Sequence, residues 1–91
     1  MIELTEKQQK VKTMLADKML DEIPKMTLDE IKENYLYMCE DPIFSIKYRV
    51  YNKEQLDSFT DETKEDLVSY FKLGLNMYKT NVTNARYLDV L

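Results

Sequence analysis

The 91-residue chain has no histidine and no tryptophan, one cysteine, one glycine and two prolines. Without histidine there is no imidazole to act as a general base or metal ligand near neutral pH. A single glycine cannot build a phosphate-binding loop, a dinucleotide fingerprint or a nucleophile elbow, each of which needs more than one. Cys39 has no second cysteine to pair with, and a lone thiol among helical Met and Leu positions reads as a small core residue rather than a nucleophile. No apolar run approaches the ~20 residues that span a bilayer. The opening decapeptide, MIELTEKQQK, lacks the basic, apolar, small order of a secretion signal, so a cytoplasmic location is expected. The Asn-Val-Thr beginning at Asn81 then matches a glycosylation acceptor in form only.

Carboxylates are plentiful, but the acidic runs at 28–33 and 61–66 lack the glycine turn and ligand spacing of a calcium loop. They read as solvated faces and helix starts. No catalytic residue, metal ligand or cofactor site is expected, and the chain is read as non-enzymatic.

What is present suits one folded domain covering 1–91, with 82–91 as a loosely docked tail. The hydrophobic fraction of 44% and charged fraction of 33% are those of a globular chain. Charge is −4 overall and unevenly placed. Residues 1–45 hold ten acids and six bases, and residues 57–66 hold five acids and one base. Between them Lys47, Arg49 and Lys53 face only Glu54, forming a small basic island.

Three helices are signalled. Thr5 and Gln8 have capping-box spacing, after which Leu4, Val11, Leu15, Met19 and Ile23 share a face flanked by Met14 and Ala16, until Pro24 ends the run. Thr27 and Glu30 form a second box, with Met26 and Ile31 at staple spacing and Leu28, Tyr35, Met38 and Cys39 on the same side. The segment after Thr60 starts with Asp61 and Glu62 and carries a stripe of Leu67, Phe71, Gly74 and Tyr78. Thr60 is expected to cap it, and Asn81 to close it in the left-handed region. Gly74, at the centre of that stripe, suggests close approach by another helix, or a kink.

The segment 43–51, IFSIKYRVY, reads two ways. As a strand it alternates, with Phe44, Ile46, Tyr48 and Val50 on one side. As a helix it opens on Asp41-Pro42, a favoured cap and first position, and runs to about Ser58. A lone strand leaves its backbone groups unpaired, which favours the helix. The expected fold is mainly α, a compact antiparallel bundle of three to four helices. The alternative is α+β, with one short strand at 43–51 paired to a terminal segment.

Function is expected from surfaces rather than chemistry: a small acidic protein-interaction module. One version is an inhibitor- or antidote-type regulator that covers a basic surface of a larger protein with Asp61, Glu62, Glu65 and Asp66. Tyr48, Arg49 and Tyr51 have the composition that interface cores favour. The same residues with Lys47 and Lys53 offer a nucleic-acid alternative. Three positive charges in an acidic domain make it the weaker one, and pairing of these bases with Asp41, Glu54 and Asp57 is the plainer reading. A self-associating assembly component, using Met and Tyr at an oligomer interface, is a further alternative. No membrane contact is expected. The bias toward Lys, Asn, Tyr and Met, without His or Trp, resembles that of small proteins of low-GC bacteria and their phages.

Overall fold

The computed structural model describes residues 4–45 and 51–84. Their regular structure is helical: α1 (Glu6–Glu22), a 3₁₀ turn (Ile23–Lys25), α2 (Leu28–Cys39), α3 (Pro42–Ser45), α4 (Lys53–Asp57) and α5 (Lys64–Thr83). No strand occurs among the described residues.

The first two helices start where their sequences direct. The Thr5 hydroxyl accepts from the Gln8 N–H at 3.1 Å, and the Gln8 side chain accepts from the Thr5 N–H at 2.9 Å. Thr27 and Glu30 exchange the same two bonds at 3.2 and 3.0 Å. Removing such a cap costs about 1 kcal/mol. The Thr27 N–H, and after it the Thr27 hydroxyl, hold the Glu30 carboxyl below its ordinary range. Met26 and Ile31 are both buried, closing the staple. Pro24 lies inside the 3₁₀ turn, where a missing N–H is tolerated, and α1 ends two residues before it.

Long-range contacts fix the topology. Lys12 of α1 meets Asp41, just beyond α2, at 2.8 Å, so α1 and α2 run antiparallel. Gln9 donates to the Val82 carbonyl at 3.1 Å, and Lys79 pairs with Asp17, so α5 is also antiparallel to α1. Three long helices thus make the bundle, and α3 and α4 are single-turn elements between α2 and α5.

The core is built on aromatic edges. Tyr35 and Phe71 are fully buried with ring centroids 5.3 Å apart, and Phe44 meets them at 5.8 and 6.2 Å. Each full burial of a large side chain contributes about 1.5–3 kcal/mol. Phe44 reaches α5 at Gly74: a Cβ there would lie 3.2 Å from Phe44 Cε2 and Cζ. The glycine serves close approach, as its place in the stripe suggests, and the approaching group is a ring on a one-turn helix.

Several expectations are corrected. Val11, placed on the core face by spacing, is 57% exposed. Met19 and Ile23 are buried as expected, but the Gln9–Val82, Lys12–Asp41 and Asp17–Lys79 contacts turn α1 so that Ala16, placed at the flank, joins them in the core in place of Val11. The expected continuous helix from Pro42 to Ser58 is broken. Asn52 is extended and caps α4 through a third box with Gln55, at 2.8 and 2.9 Å. Ile43, Phe44 and Ser45 are helical, against the strand alternative, while 46–50 lie outside the described residues. Thr60 does not cap α5. Its N–H donates to the Thr63 hydroxyl at 2.8 Å, and the helix begins only at Lys64. Asn81 does not close α5 either. Buried Val82 carries the helix on to Thr83, and no non-glycine residue has positive φ among those described.

Candidate functional site

Two surfaces stand apart from the core. The first is the acidic turn. Asp61 and Glu62 sit in the turn before α5, and Glu65 and Asp66 in its first turn. All four are exposed, and none forms an ion pair with another described residue. The positive end of the α5 dipole favours Glu65 and Asp66 there, so part of this cluster serves the helix itself.

The second surface is the groove between α1 and α2. A depression of about 410 Å³ is lined by Val11, Leu15, Tyr37, Met38, Pro42 and Tyr78. Leu15 and Tyr37 also line a second depression of about 290 Å³, toward Lys18, Glu22 and Asn34. Tyr37 therefore stands between the two, with 59% of its surface exposed. Met14, one turn along α1 from Val11, is 60% exposed. Among the described residues only Leu73, on α5, joins these as a large exposed apolar side chain.

A polar cluster anchors one end of the groove. Asp41 Oδ2 accepts from Lys12 Nζ at 2.8 Å and from the Tyr78 hydroxyl at 2.9 Å, while Oδ1 accepts the Ile43 N–H at 2.9 Å. Burial alone would raise the Asp41 pKa, but these three donors outweigh it and leave the group below its ordinary 3.8. Burial, and then the bond to Asp41, push the Tyr78 phenol above its usual range. The Asp41 carboxylate thus caps α3, which the sequence suggests. Among the described residues its counter-ion is Lys12, twenty-nine positions away, and the Lys47 and Arg49 that the sequence offers as partners lie outside them.

The aromatic-basic segment is divided. Tyr48 and Arg49, with Lys47, lie outside the described residues. Tyr51 is half-buried, with its ring 4.6 Å from Tyr70 and 5.2 Å from Phe59, and its N–H donates to the Tyr35 hydroxyl at 3.0 Å. Its ring thus packs against the edge of the core and remains partly exposed. Lys53 is exposed. Cys39 is half-buried, and burial pushes its thiol up to about 11. No three His, Cys, Asp or Glu side chains among the described residues converge as metal ligands. No helix among them is long and apolar enough to cross a membrane.

Of the expected contact residues, Asp61, Glu62, Glu65 and Asp66 are exposed, Tyr51 is half-buried, and Tyr48 and Arg49 lie outside the described residues. Sequence reasoning missed Val11 and Met14 as surface groups, because their spacing fits a core stripe equally well. Tyr37 carried a usable signal, being hard to bury on the same face as Tyr35. Compared with known protein families, curated proteins and solved structures, the chain matches none of them.

Proposed function

We propose that the chain is a non-enzymatic protein-interaction module whose principal contact surface is the α1/α2 groove. The observation that carries this is the meeting of exposed Val11 and Tyr37 at one groove, with exposed Met14 one turn along α1 from Val11, when the other large apolar side chains described, Leu73 apart, are at least partly buried. Exposed apolar groups collected around a depression and rimmed by Lys12, Lys18 and Glu22 have the make-up of an interface core with a polar rim. Tyr37 supplies a rigid aromatic anchor of the kind that dominates binding energy.

A second reading assigns the acidic turn to a basic partner, as an inhibitor- or antidote-type regulator would use it. What favours it is the exposure of Asp61, Glu62, Glu65 and Asp66 within six residues, free of ion pairs to other described residues. Charge complementarity of this sort raises the rate of encounter more than the final affinity.

One experiment separates the two. The chain is immobilised and proteins of its source cells are captured in parallel on wild type, on Tyr37→Ala with Met14→Lys, and on a chain with the four acids reversed to Lys. The groove reading expects a partner held by wild type and by the acid-reversed chain but lost from the groove variant. The opposite pattern would move the function to the acidic turn. Capture indifferent to both changes would remove both readings.

A further inference from the structure

The outward face of α1 carries charges in an order that helix stability does not account for. Lys7, Val11, Met14, Lys18 and Asp21 recur three or four residues apart and so form one stripe. It lies on the side of α1 away from Ala16, Met19 and Ile23, and all five are exposed. Lys7 and Lys10 stand near the N-terminus, Asp21 and Glu22 occupy the last turn, and the apolar pair lies between. A helix dipole favours the reverse order, acids first and bases last. The other charges of this helix are partly committed elsewhere, Lys12 to Asp41 and Asp17 to Lys79. Lys7, Lys10, Asp21 and Glu22 form no ion pair with another described residue.

This order is complementary to itself when reversed. Met14 lies midway between Lys7 and Asp21, seven positions from each. A second α1 laid antiparallel, with a two-fold axis near Met14, sets Lys7 of each copy against Asp21 and Glu22 of the other. Both ends are then in register at once, as an isologous contact requires. Met14 meets Met14, and Lys18 falls beside Val11 of the copy, where its stem covers the methyl groups and its ammonium stays in water. Tyr37 flanks the contact from α2. The acid end of each helix also comes to lie beside the positive end of its partner's dipole. A parallel pairing would instead oppose Lys7 to Lys7 and Asp21 to Asp21.

We infer that this face is a two-fold interface between copies of the chain, α1 packing antiparallel on α1. The inference rests on the reading of the α1/α2 face as an interaction surface and names its partner. A seventeen-residue helix is about 26 Å long. Contact along one such helix falls in the transient class, below about 1,200 Å², so dissociation constants of about 10–1,000 µM are expected.

Sedimentation equilibrium of the full chain across that concentration range tests this. The expected mass rises from monomer to dimer and stops. Met14→Lys should weaken association about tenfold or more with no change in thermal melting, since Met14 is exposed. Lys7→Glu should also weaken it, and Lys7→Glu with Asp21→Lys should recover most of the loss. A monomer at every concentration, growth beyond the dimer, a dimer indifferent to Met14→Lys, or no recovery in the swapped variant would each overturn the inference. If the inference fails while a captured partner still depends on Tyr37 and Met14, the interaction reading stands with a different occupant. If capture is also indifferent to those residues, the reading fails too.

Discussion

Replacing Gly74 with alanine sets two effects of known size against each other. A glycine in the middle of a helix costs about 0.8–1 kcal/mol relative to alanine, so backbone preference alone makes Gly74→Ala stabilising. The new methyl, however, would lie 3.2 Å from Phe44 Cε2 and Cζ. The ring must retreat by a few tenths of an ångström. It is hemmed in by Tyr35 at 5.8 Å and by Phe71 and Tyr78 at 6.2 Å each, and it is 3% exposed. Overpacking of this kind costs about 1–3 kcal/mol, which outweighs the propensity gain. Gly74→Ala should therefore destabilise by about 1 kcal/mol, lowering the urea midpoint by about 1 M at the slope usual for small domains. The decisive comparison uses Phe44→Leu, which deletes the two opposing ring atoms. In that background Gly74→Ala should change sign and stabilise by up to about 1 kcal/mol. A higher midpoint for Gly74→Ala in the wild-type background, or the same shift in both backgrounds, would refute the packing argument.

Further expectations follow from the interior and the groove. Asn81 is 9% exposed with its Nδ2 unpartnered, so Asn81→Leu should raise stability by about 1–2 kcal/mol in urea melts, because an unpaired buried amide costs that much. Cys39, with its thiol pushed up to about 11 and half-buried, should react with a disulfide reagent at pH 8 about a hundredfold more slowly than an unperturbed thiol. Asp41→Asn should cost about 1.5–3 kcal/mol at pH 7, the value of hydrogen bonds to a charged group. Because the folded Asp41 pKa is depressed, that stabilisation is present above the ordinary carboxylate value and is lost as pH falls through the folded one. The gap between wild type and variant should thus narrow steadily in melts taken at pH values falling below the ordinary carboxylate value, and a constant gap would sink the assignment.

The legible parts of the fold were those written in local chemistry. Thr5 with Gln8 and Thr27 with Glu30 are reciprocal bonds across three residues, so sequence alone determines them. The same holds for Gly74, whose position in an apolar stripe marks a close approach. The rotation of α1 was not legible. Val11 and Ala16 fit almost equally well on an inward face, and the choice is made by Lys12, Gln9 and Asp17 reaching residues far along the chain. The late start of α5 escaped for a subtler reason. Thr60 and Thr63 are both competent caps, and the Thr63 hydroxyl closes a turn on Thr60 before the helix begins. The candidate surface was least legible of all, since it consists of the apolar side chains left over once the core has taken its share.

The bond between the Tyr78 hydroxyl and Asp41 has a consequence at both ends of the pH scale. It needs a neutral phenol and an ionised carboxylate together. Acid removes it by protonating Asp41, and alkali removes it by ionising Tyr78. The raised phenol contributes its full stabilisation below the ordinary tyrosine value of 10, and this is eroded as pH climbs from there toward the folded value. Tyr35, raised by burial in the same direction, adds to the alkaline limit. The core thus carries its own operating window, bounded below by a carboxylate and above by two phenols, and an all-phenylalanine interior would have no upper bound of this kind.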